Sequence, residues 1–138
     1  MIIVDANVAI KWVIEQPHWE RAREIVARGV TLMVPGMFVP EVTSTLGSYV
    51  RARTISLEQA QVGLTSILGQ ISVFEQDASL AEEALSKGAE LDYAPYDCFY
   101  LVLAMIRGAP FVTADKRFIN RLAKTPYKSH VIHLADWT

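Results

Sequence analysis

Short apolar runs alternate along the whole chain with longer segments of helical periodicity. The runs that predict strands are Ile2-Val4, Leu32-Val34, Ser72-Phe74, Phe111-Thr113 and Val131-Leu134. Their nearly continuous apolar character is typical of strands that are buried on both faces. The alternation of strands with helices predicts an α/β fold with a parallel sheet.

Several helices carry recognisable end signals. Ser56 followed by Gln59 forms a capping box, and apolar residues at helical spacing come after it. Asp77 suits the N-cap of a helix running through Leu85, which we expect Gly88 to terminate.

Two further helices are marked by proline and glycine. Pro40 fits the first turn of a helix that continues to about Arg53, and a second helix is predicted from Pro95 to Arg107, closed by Gly108. The second one is apolar nearly all round, so we expect it to be central in the fold.

Composition predicts a single domain over residues 1–138. The chain is 51% hydrophobic and has no repeat or linker-like segment, and no apolar stretch approaches the ~20 residues of a membrane span. The lone cysteine, Cys98, excludes an intrachain disulfide and a cysteine-based zinc cluster. We therefore expect a cytoplasmic protein that does not enter the membrane, with Cys98 in its core.

Four carboxylates stand where strands end or helices begin. Asp5 and Asp115 follow the first and fourth apolar runs, whereas Glu41 and Asp97 fall at the starts of helices. In a doubly wound parallel sheet these positions meet at the carboxyl edge, where ligands bind. The pattern predicts that the four side chains share one cleft.

Carboxylates without histidine or cysteine partners are hard oxygen ligands that suit Mg²⁺ or Mn²⁺. Two such ions can activate a water and stabilise the leaving oxygen of a phosphodiester, so the cluster indicates metal-dependent cleavage of nucleic acid. A plainer interpretation stays open, because each residue is also a favoured helix cap or first-turn acid.

The charge distribution adds one feature to this site. The formal net charge is −2, which does not indicate a basic nucleic-acid binder, but five basic residues and no acidic one lie between Lys116 and Lys128. Lys116, Arg117 and Arg121 are candidates for steering an RNA backbone, and an ordinary solvated helix face is the alternative. The three histidines are scattered and indicate no ligand pair.

Four motifs resemble those of the PIN domain family, and more narrowly of VapC-type ribonuclease toxins. They lie, in the order of the family, at residues 3–12 (IVDANVAIKW), 40–42 (PEV), 96–104 (YDCFYLVLA) and 112–118 (VTADKRF). The resemblance spans nearly the whole chain.

The resemblance implies a three-layer α/β/α fold with a parallel sheet of about five strands. It also implies a Mg²⁺- or Mn²⁺-dependent endoribonuclease whose acidic site comprises Asp5, Glu41, Asp97 and Asp115, with Thr113 as a hydroxyl helper. Such proteins commonly form homodimers and are inhibited by a cognate antitoxin protein. The alternative for Thr113 is an ordinary threonine at the end of a strand, with no role in the site.

Two departures from the family pattern concern substrate contacts. Many relatives have asparagine where this chain has Ser44, and some have a further acidic residue near the position of Asn120. Ser44 shares a polar helix stripe with Glu41, and we assign it a supporting role in the cleft.

Other function classes fit less well. A phosphoacceptor receiver domain needs an aspartate after its third strand, but none lies between Asp5 and Asp77. A haloacid-dehalogenase-type phosphatase needs a second aspartate at position 7, which is Asn7. A catalytically idle PIN-like module that only binds RNA or a protein partner stays open.

Overall fold

The structure is a computed structural model that describes residues 1–138. Its centre is one sheet of five strands, and each pair of neighbouring strands is parallel. The strands are β1 (Ile2–Val4), β2 (Leu32–Pro35), β3 (Val73–Glu75), β4 (Phe111–Thr113) and β5 (Val131–His133). The α/β class, the parallel sheet and its strands are confirmed.

Seven α-helices connect and cover these strands. They are α1 (Ala6–Ile10), α2 (Trp19–Ala27), α3 (Phe38–Arg51), α4 (Leu57–Gln70), α5 (Ala81–Leu91), α6 (Pro95–Arg107) and α7 (Lys116–Leu122). Crossovers between parallel strands are right-handed, so α1 to α4 cover one face and α5 to α7 cover the other. The result is the expected three-layer α/β/α arrangement.

Strand order makes β1 the centre of the sheet. The order is β3-β2-β1-β4-β5, with Ile3 paired to Met33 of β2 on one side and to Phe111 of β4 on the other. The chain moves outward in one direction through β2 and β3, then returns to the opposite side through β4 and β5. The reversal point lies between β1 and β4, which is where open α/β sheets bind ligands.

The core forms because the central strands and α6 are apolar on every side. All three residues of β1 and of β4 are buried, and six residues of α6 are buried, Cys98 among them. Helix α6 is thus central, as its sequence predicted, and Cys98 is a free buried thiol. No helix of the chain combines the length and the apolar character needed to cross a membrane.

Helix ends mostly agree with the sequence signals. The Ser56 and Gln59 capping box begins α4, and Gly108, in left-handed backbone with φ 60°, ends α6. Pro40 lies in the first turn of α3, which ends at Arg51 rather than Arg53.

The prediction for the helix after β3 was wrong at both ends. Asp77 begins a short 3-10 turn, and α5 continues past Gly88 to Leu91, where Asp92 adopts left-handed backbone with φ 49°. Gly88 does not end the helix. Glycine is needed at this position because a Cβ would stand 2.9 Å from the Tyr93 carbonyl oxygen. The Asp77 carboxylate instead accepts a hydrogen bond of 3.1 Å from the Met37 N–H, just ahead of α3.

Candidate acidic site

Asp5 lies at the end of the central strand and is almost fully buried. Its Oδ1 accepts a 3.1 Å hydrogen bond from the Val8 N–H, which caps α1, and its Oδ2 accepts one of 2.5 Å from the Thr113 hydroxyl. Burial raises the pKa of Asp5 to about 6, against the lowering effect of these two hydrogen bonds, and the charges of Asp97 and Asp115 raise it further. Asp5 is both a helix cap and a member of the acidic cluster.

Thr113 connects the ends of the two central strands. It is fully buried, and while its Oγ1 donates to Asp5 it accepts a hydrogen bond of 3.1 Å from the Asp115 N–H. Asp115 caps α7 by accepting hydrogen bonds from the Arg117 and Phe118 N–H groups through Oδ1. Its Oδ2 has no protein partner and is free to bind a ligand.

Glu41 approaches from the first turn of α3 and contacts the opposite helical layer. Tyr100 of α6 donates a hydrogen bond of 3.2 Å from its hydroxyl to Glu41 Oε1. Desolvation raises the pKa of Glu41 to about 7; Tyr100 counteracts this, whereas the charges of Asp5, Asp97 and Asp77 add to it. Burial, with the nearby Glu41 carboxylate, raises the pKa of Tyr100, so its hydroxyl keeps its proton.

Asp97 lies in the first turn of α6, three residues before Tyr100 on the same helical face. Its carboxylate makes no hydrogen bond with the protein. Desolvation first, and then the Asp115 charge, raise the pKa of Asp97 to about 6. The structure therefore brings the four predicted carboxylates together at the carboxyl edge of the sheet, with Asp97 within electrostatic reach of each of the other three.

The donor set suits a hard divalent cation. Carboxylate oxygens are the only strong ligands in the cluster, and a cation would offset the mutual repulsion that, after burial, raises the pKa values of Asp5, Glu41 and Asp97. As the side chains stand, no three of the chain's His, Cys, Asp or Glu residues are placed to hold a metal ion together. The residue types fit a Mg²⁺ or Mn²⁺ ion, and the side chains have to close around it.

The other predicted residues are exposed on the helices that carry Glu41 and follow Asp115. Ser44 is exposed on α3, one helical turn after Glu41. Lys116, Arg117 and Arg121 are exposed on α7, directly after Asp115.

Tyr93 shows how near the acidic and basic groups are. Burial raises its pKa, the charges of Asp115 and Asp97 raise it further, and those of Arg117 and Arg121 lower it. Because acidic and basic groups act on one phenol, the basic side chains border the acidic cleft.

Sequence reasoning gave no role to Tyr100 and Lys11, which lie near this site. Tyr100, which holds Glu41, was detectable from its three-residue spacing from Asp97. Lys11 is a cation with only 8% of its surface exposed, and its Nζ donates a 3.3 Å hydrogen bond to Gln16 Oε1. Desolvation lowers the pKa of Lys11 while the Asp5 charge raises it, so this ammonium lies within reach of the cluster.

The structure also joins two histidines that are far apart in sequence. His18 precedes α2 and His133 ends β5, and their rings meet edge to face at 5.9 Å. Scattered positions in the sequence carried no signal for this pair, because it depends on how the loop after α1 folds.

Comparison with known proteins gives a family and a fold. The sequence model of the PIN domain matches residues 2–124. No curated protein matches the sequence.

Solved structures resemble the whole chain. Protein PAE2754 of Pyrobaculum aerophilum aligns with a TM-score of 0.74 at 19% identity, over 97% of this chain and 83% of that one. One chain of a toxin-antitoxin complex from Klebsiella pneumoniae aligns with a TM-score of 0.70 at 14% identity, over 97% and 98%. VapC20 of Mycobacterium tuberculosis, described as a toxin that cleaves the sarcin-ricin loop, aligns with a TM-score of 0.67 at 17% identity, over 86% and 92%.

Proposed function

Since the chain belongs to the PIN domain family, we propose that it is a divalent-metal-dependent endoribonuclease and the toxin of a toxin-antitoxin pair. The observation that carries the proposal is the cluster of Asp5, Glu41, Asp97 and Asp115 at the reversal point of the sheet. Helix caps alone would not need to meet there. Burial raises the pKa values of Asp5, Glu41 and Asp97, and the charges of neighbouring carboxylates raise them further.

The carboxylates divide into two roles. Asp5, Asp97 and Asp115 would hold Mg²⁺ or Mn²⁺ directly or through water, and Glu41 would complete the site. When bound, the ion would supply activation of a water and charge stabilisation at the scissile phosphate. Thr113 fixes Asp5 and the start of the Asp115 segment, so two of the three ligands are positioned by one hydroxyl.

Glu41 is the residue suited to orient the attacking water. Its Oε1 is held by Tyr100, which leaves Oε2 to accept a hydrogen bond. A pKa of about 7 gives it proton affinity near neutral pH, as proton transfer from water requires. The water oxygen bonds to phosphorus as the bond to the 3′ oxygen breaks, so the products are a 5′-phosphate and a 3′-hydroxyl.

RNA has to approach a negative cleft, and the surrounding residues favour that approach. Lys116, Arg117 and Arg121 attract the RNA backbone, and Ser44 lines the cleft on the α3 side. The proposal includes a toxin role in the cytoplasm, a homodimer and a cognate antitoxin; for the antitoxin, the support is that one structural neighbour is a chain of a toxin-antitoxin complex.

Incubation of the protein with total RNA tests the proposal. We expect new 5′-phosphate ends with Mn²⁺ and none with a chelator, and we expect Asp5→Asn and Asp97→Asn to lose cleavage while keeping the circular dichroism spectrum. Asp92→Asn is the matched control, because Asp92 is exposed and asparagine tolerates its left-handed backbone. Retained cleavage in Asp97→Asn would contradict the assignment, and failure to bind Mn²⁺ in calorimetry would favour the idle binding module.

A further inference from the structure

A cleft of about 350 Å³ lies beside the acidic site. Its walls include His18, Lys116, Asn120, His133 and Asp136. Its volume falls within the ~300–1,000 Å³ of ordinary small-ligand sites. Neither the carboxylate cluster nor the proposed reaction uses its two imidazoles.

The position of the cleft relates it to the acidic site. His133 is the register partner of Thr113 in the sheet, so it stands one strand away from the hydroxyl that holds Asp5. Lys116 is the residue directly after Asp115. The cleft therefore borders the carboxylates on the β5 side, whereas Glu41 and Ser44 border them on the α3 side.

Most polar side chains of the cleft are exposed and keep hydrogen-bonding positions that the protein does not use. His133 Nδ1 accepts a 3.1 Å hydrogen bond from the Ala135 N–H, which leaves Nε2 as the free donor of the neutral ring. His18 makes no capping bond, and its ring packs edge to face on that of His133. Lys116 and Asp136 take part in no ion pair, although both line the cleft.

We propose that this cleft binds one nucleotide of the RNA substrate, next to the scissile phosphate. The inference rests on the proposed function, because it assumes that RNA crosses the carboxyl edge of the sheet. Imidazole rings offer a face on which a base stacks, as aromatic side chains do for splayed single-stranded RNA. Lys116 lies where it can pair with the phosphate of the same nucleotide.

The polar lining also discriminates among bases. The Asp136 carboxylate only accepts hydrogen bonds, so it favours a base edge with an exocyclic amino group. Uracil presents two carbonyl oxygens beside a single N–H and would face repulsion there. We therefore expect adenine, cytosine or guanine in this position, with uracil disfavoured.

Nucleotide binding is measured without any cleavage. Histidine Cε1–H signals are followed by NMR in the presence of a chelator while 5′-AMP, 5′-UMP or inorganic phosphate is added. We expect 5′-AMP to shift the His18 and His133 signals more strongly than 5′-UMP, and to leave the His130 signal unchanged. Absence of shifts, or equal shifts with phosphate alone, would overturn the proposal.

Variants connect the cleft to the reaction. His18→Asn keeps a residue that tolerates φ 68° but removes the ring, and we expect about a tenfold loss of kcat/KM on RNA, as for one lost stacking contact. His130→Asn, the matched histidine control, should leave kcat/KM unchanged. Asp136→Asn provides an amide donor as well as an acceptor and should relax the bias against uridine at one fixed position near the cut. Equal cleavage patterns in all three variants and the parent would contradict the nucleotide site.

The two proposals fail separately. If 5′-AMP shifts both histidines but no RNA is cut, the nucleotide site stands and the nuclease assignment falls. If RNA is cut and the histidines do not respond, the nuclease stands and the nucleotide site falls.

Discussion

The Thr113 hydroxyl donates to Asp5 Oδ2 and accepts from the Asp115 N–H, so one side chain connects the ends of β1 and β4. A serine preserves both interactions, whereas a valine of similar shape preserves neither. The pair Thr113→Ser and Thr113→Val therefore separates the hydroxyl from the packing of the methyl group.

Thr113→Val should impair the site through Asp5. Loss of the donor leaves a buried carboxylate oxygen unsatisfied, which costs about 1–3 kcal/mol of stability and raises the pKa of Asp5 above about 6. We expect the acid limb of the pH profile of kcat/KM to move about one unit upward, and Thr113→Ser to stay near the parent. An unchanged limb in Thr113→Val would show that the hydroxyl does not govern Asp5.

Tyr100→Phe should change the pH dependence more than the stability. The Phe111 ring stacks on Tyr100 at a centroid distance of 5.3 Å, and phenylalanine keeps that contact. Without the hydroxyl the pKa of Glu41 rises from about 7, so cleavage at pH 7 should fall and recover by about pH 9. Tyr96→Phe is the control, because Tyr96 is 71% exposed on the same helix. Equal losses of activity at both pH values would point to a packing defect instead.

The metal-free protein should become less stable as the pH rises from 5 to 8. Asp5, Glu41 and Asp97 have pKa values of about 6, 7 and 6 in the folded chain, against about 4 when unfolded. Between about pH 4 and pH 7 the folded state therefore binds more protons than the unfolded state. The contribution of these three groups to the free energy of unfolding is greatest below about pH 4 and is lost as the pH rises through 6 to 7. We expect the Tm in chelator to fall by about 5 °C between pH 5 and pH 8.

Asp97→Asn provides the internal control for that effect. Removing one carboxylate that repels Asp115 and Asp5 should raise the Tm at pH 8 in chelator and flatten its pH dependence. Mn²⁺ should raise the Tm of the parent at pH 8 but not that of the variant. A variant that is less stable than the parent at pH 8 would argue against charge repulsion within the cluster.

Gly88→Ala should destabilise the chain and displace α6. The added Cβ would stand 2.9 Å from the Tyr93 carbonyl and 3.1 Å from Pro95 Cγ, so the turn that starts α6 has to move. We expect a loss of about 1–3 kcal/mol in urea unfolding, with reduced cleavage because Asp97 follows Pro95 closely. Gly69→Ala meets nothing within 4 Å near the end of α4, and should be neutral or stabilising by up to about 1 kcal/mol. Equal effects of the two substitutions would exclude the close contact as the cause.

Sequence patterns predicted the strands and the meeting of the carboxylates because both follow from local rules. A buried strand such as Ile2–Val4 is apolar on both faces, and the residue after it must emerge at the carboxyl edge. The positions of Asp5 and Asp115 at this edge therefore follow from the strand pattern.

The failures concern residues whose role depends on distant partners. Gly88 was interpreted as a helix end, but glycine is needed there because a side chain would be too close to the Tyr93 carbonyl oxygen. Asp77 was interpreted as the cap of its own helix, but its carboxylate accepts a hydrogen bond from the N–H of Met37, the residue before α3. Likewise, the spacing of His18 and His133 in the chain does not indicate their contact, which forms because the loop before α2 meets the end of β5.

The central position of β1 also determines when the site exists during synthesis. The Asp5 to Thr113 hydrogen bond spans 108 positions, so a ribosome adding ~5–20 residues per second needs several seconds between making its two ends. Until β4 has left the exit tunnel, β1 has no neighbour on that side and Asp5 lacks its hydroxyl donor. A nascent chain, or one released early by premature termination, therefore carries the first acidic motif without an assembled site.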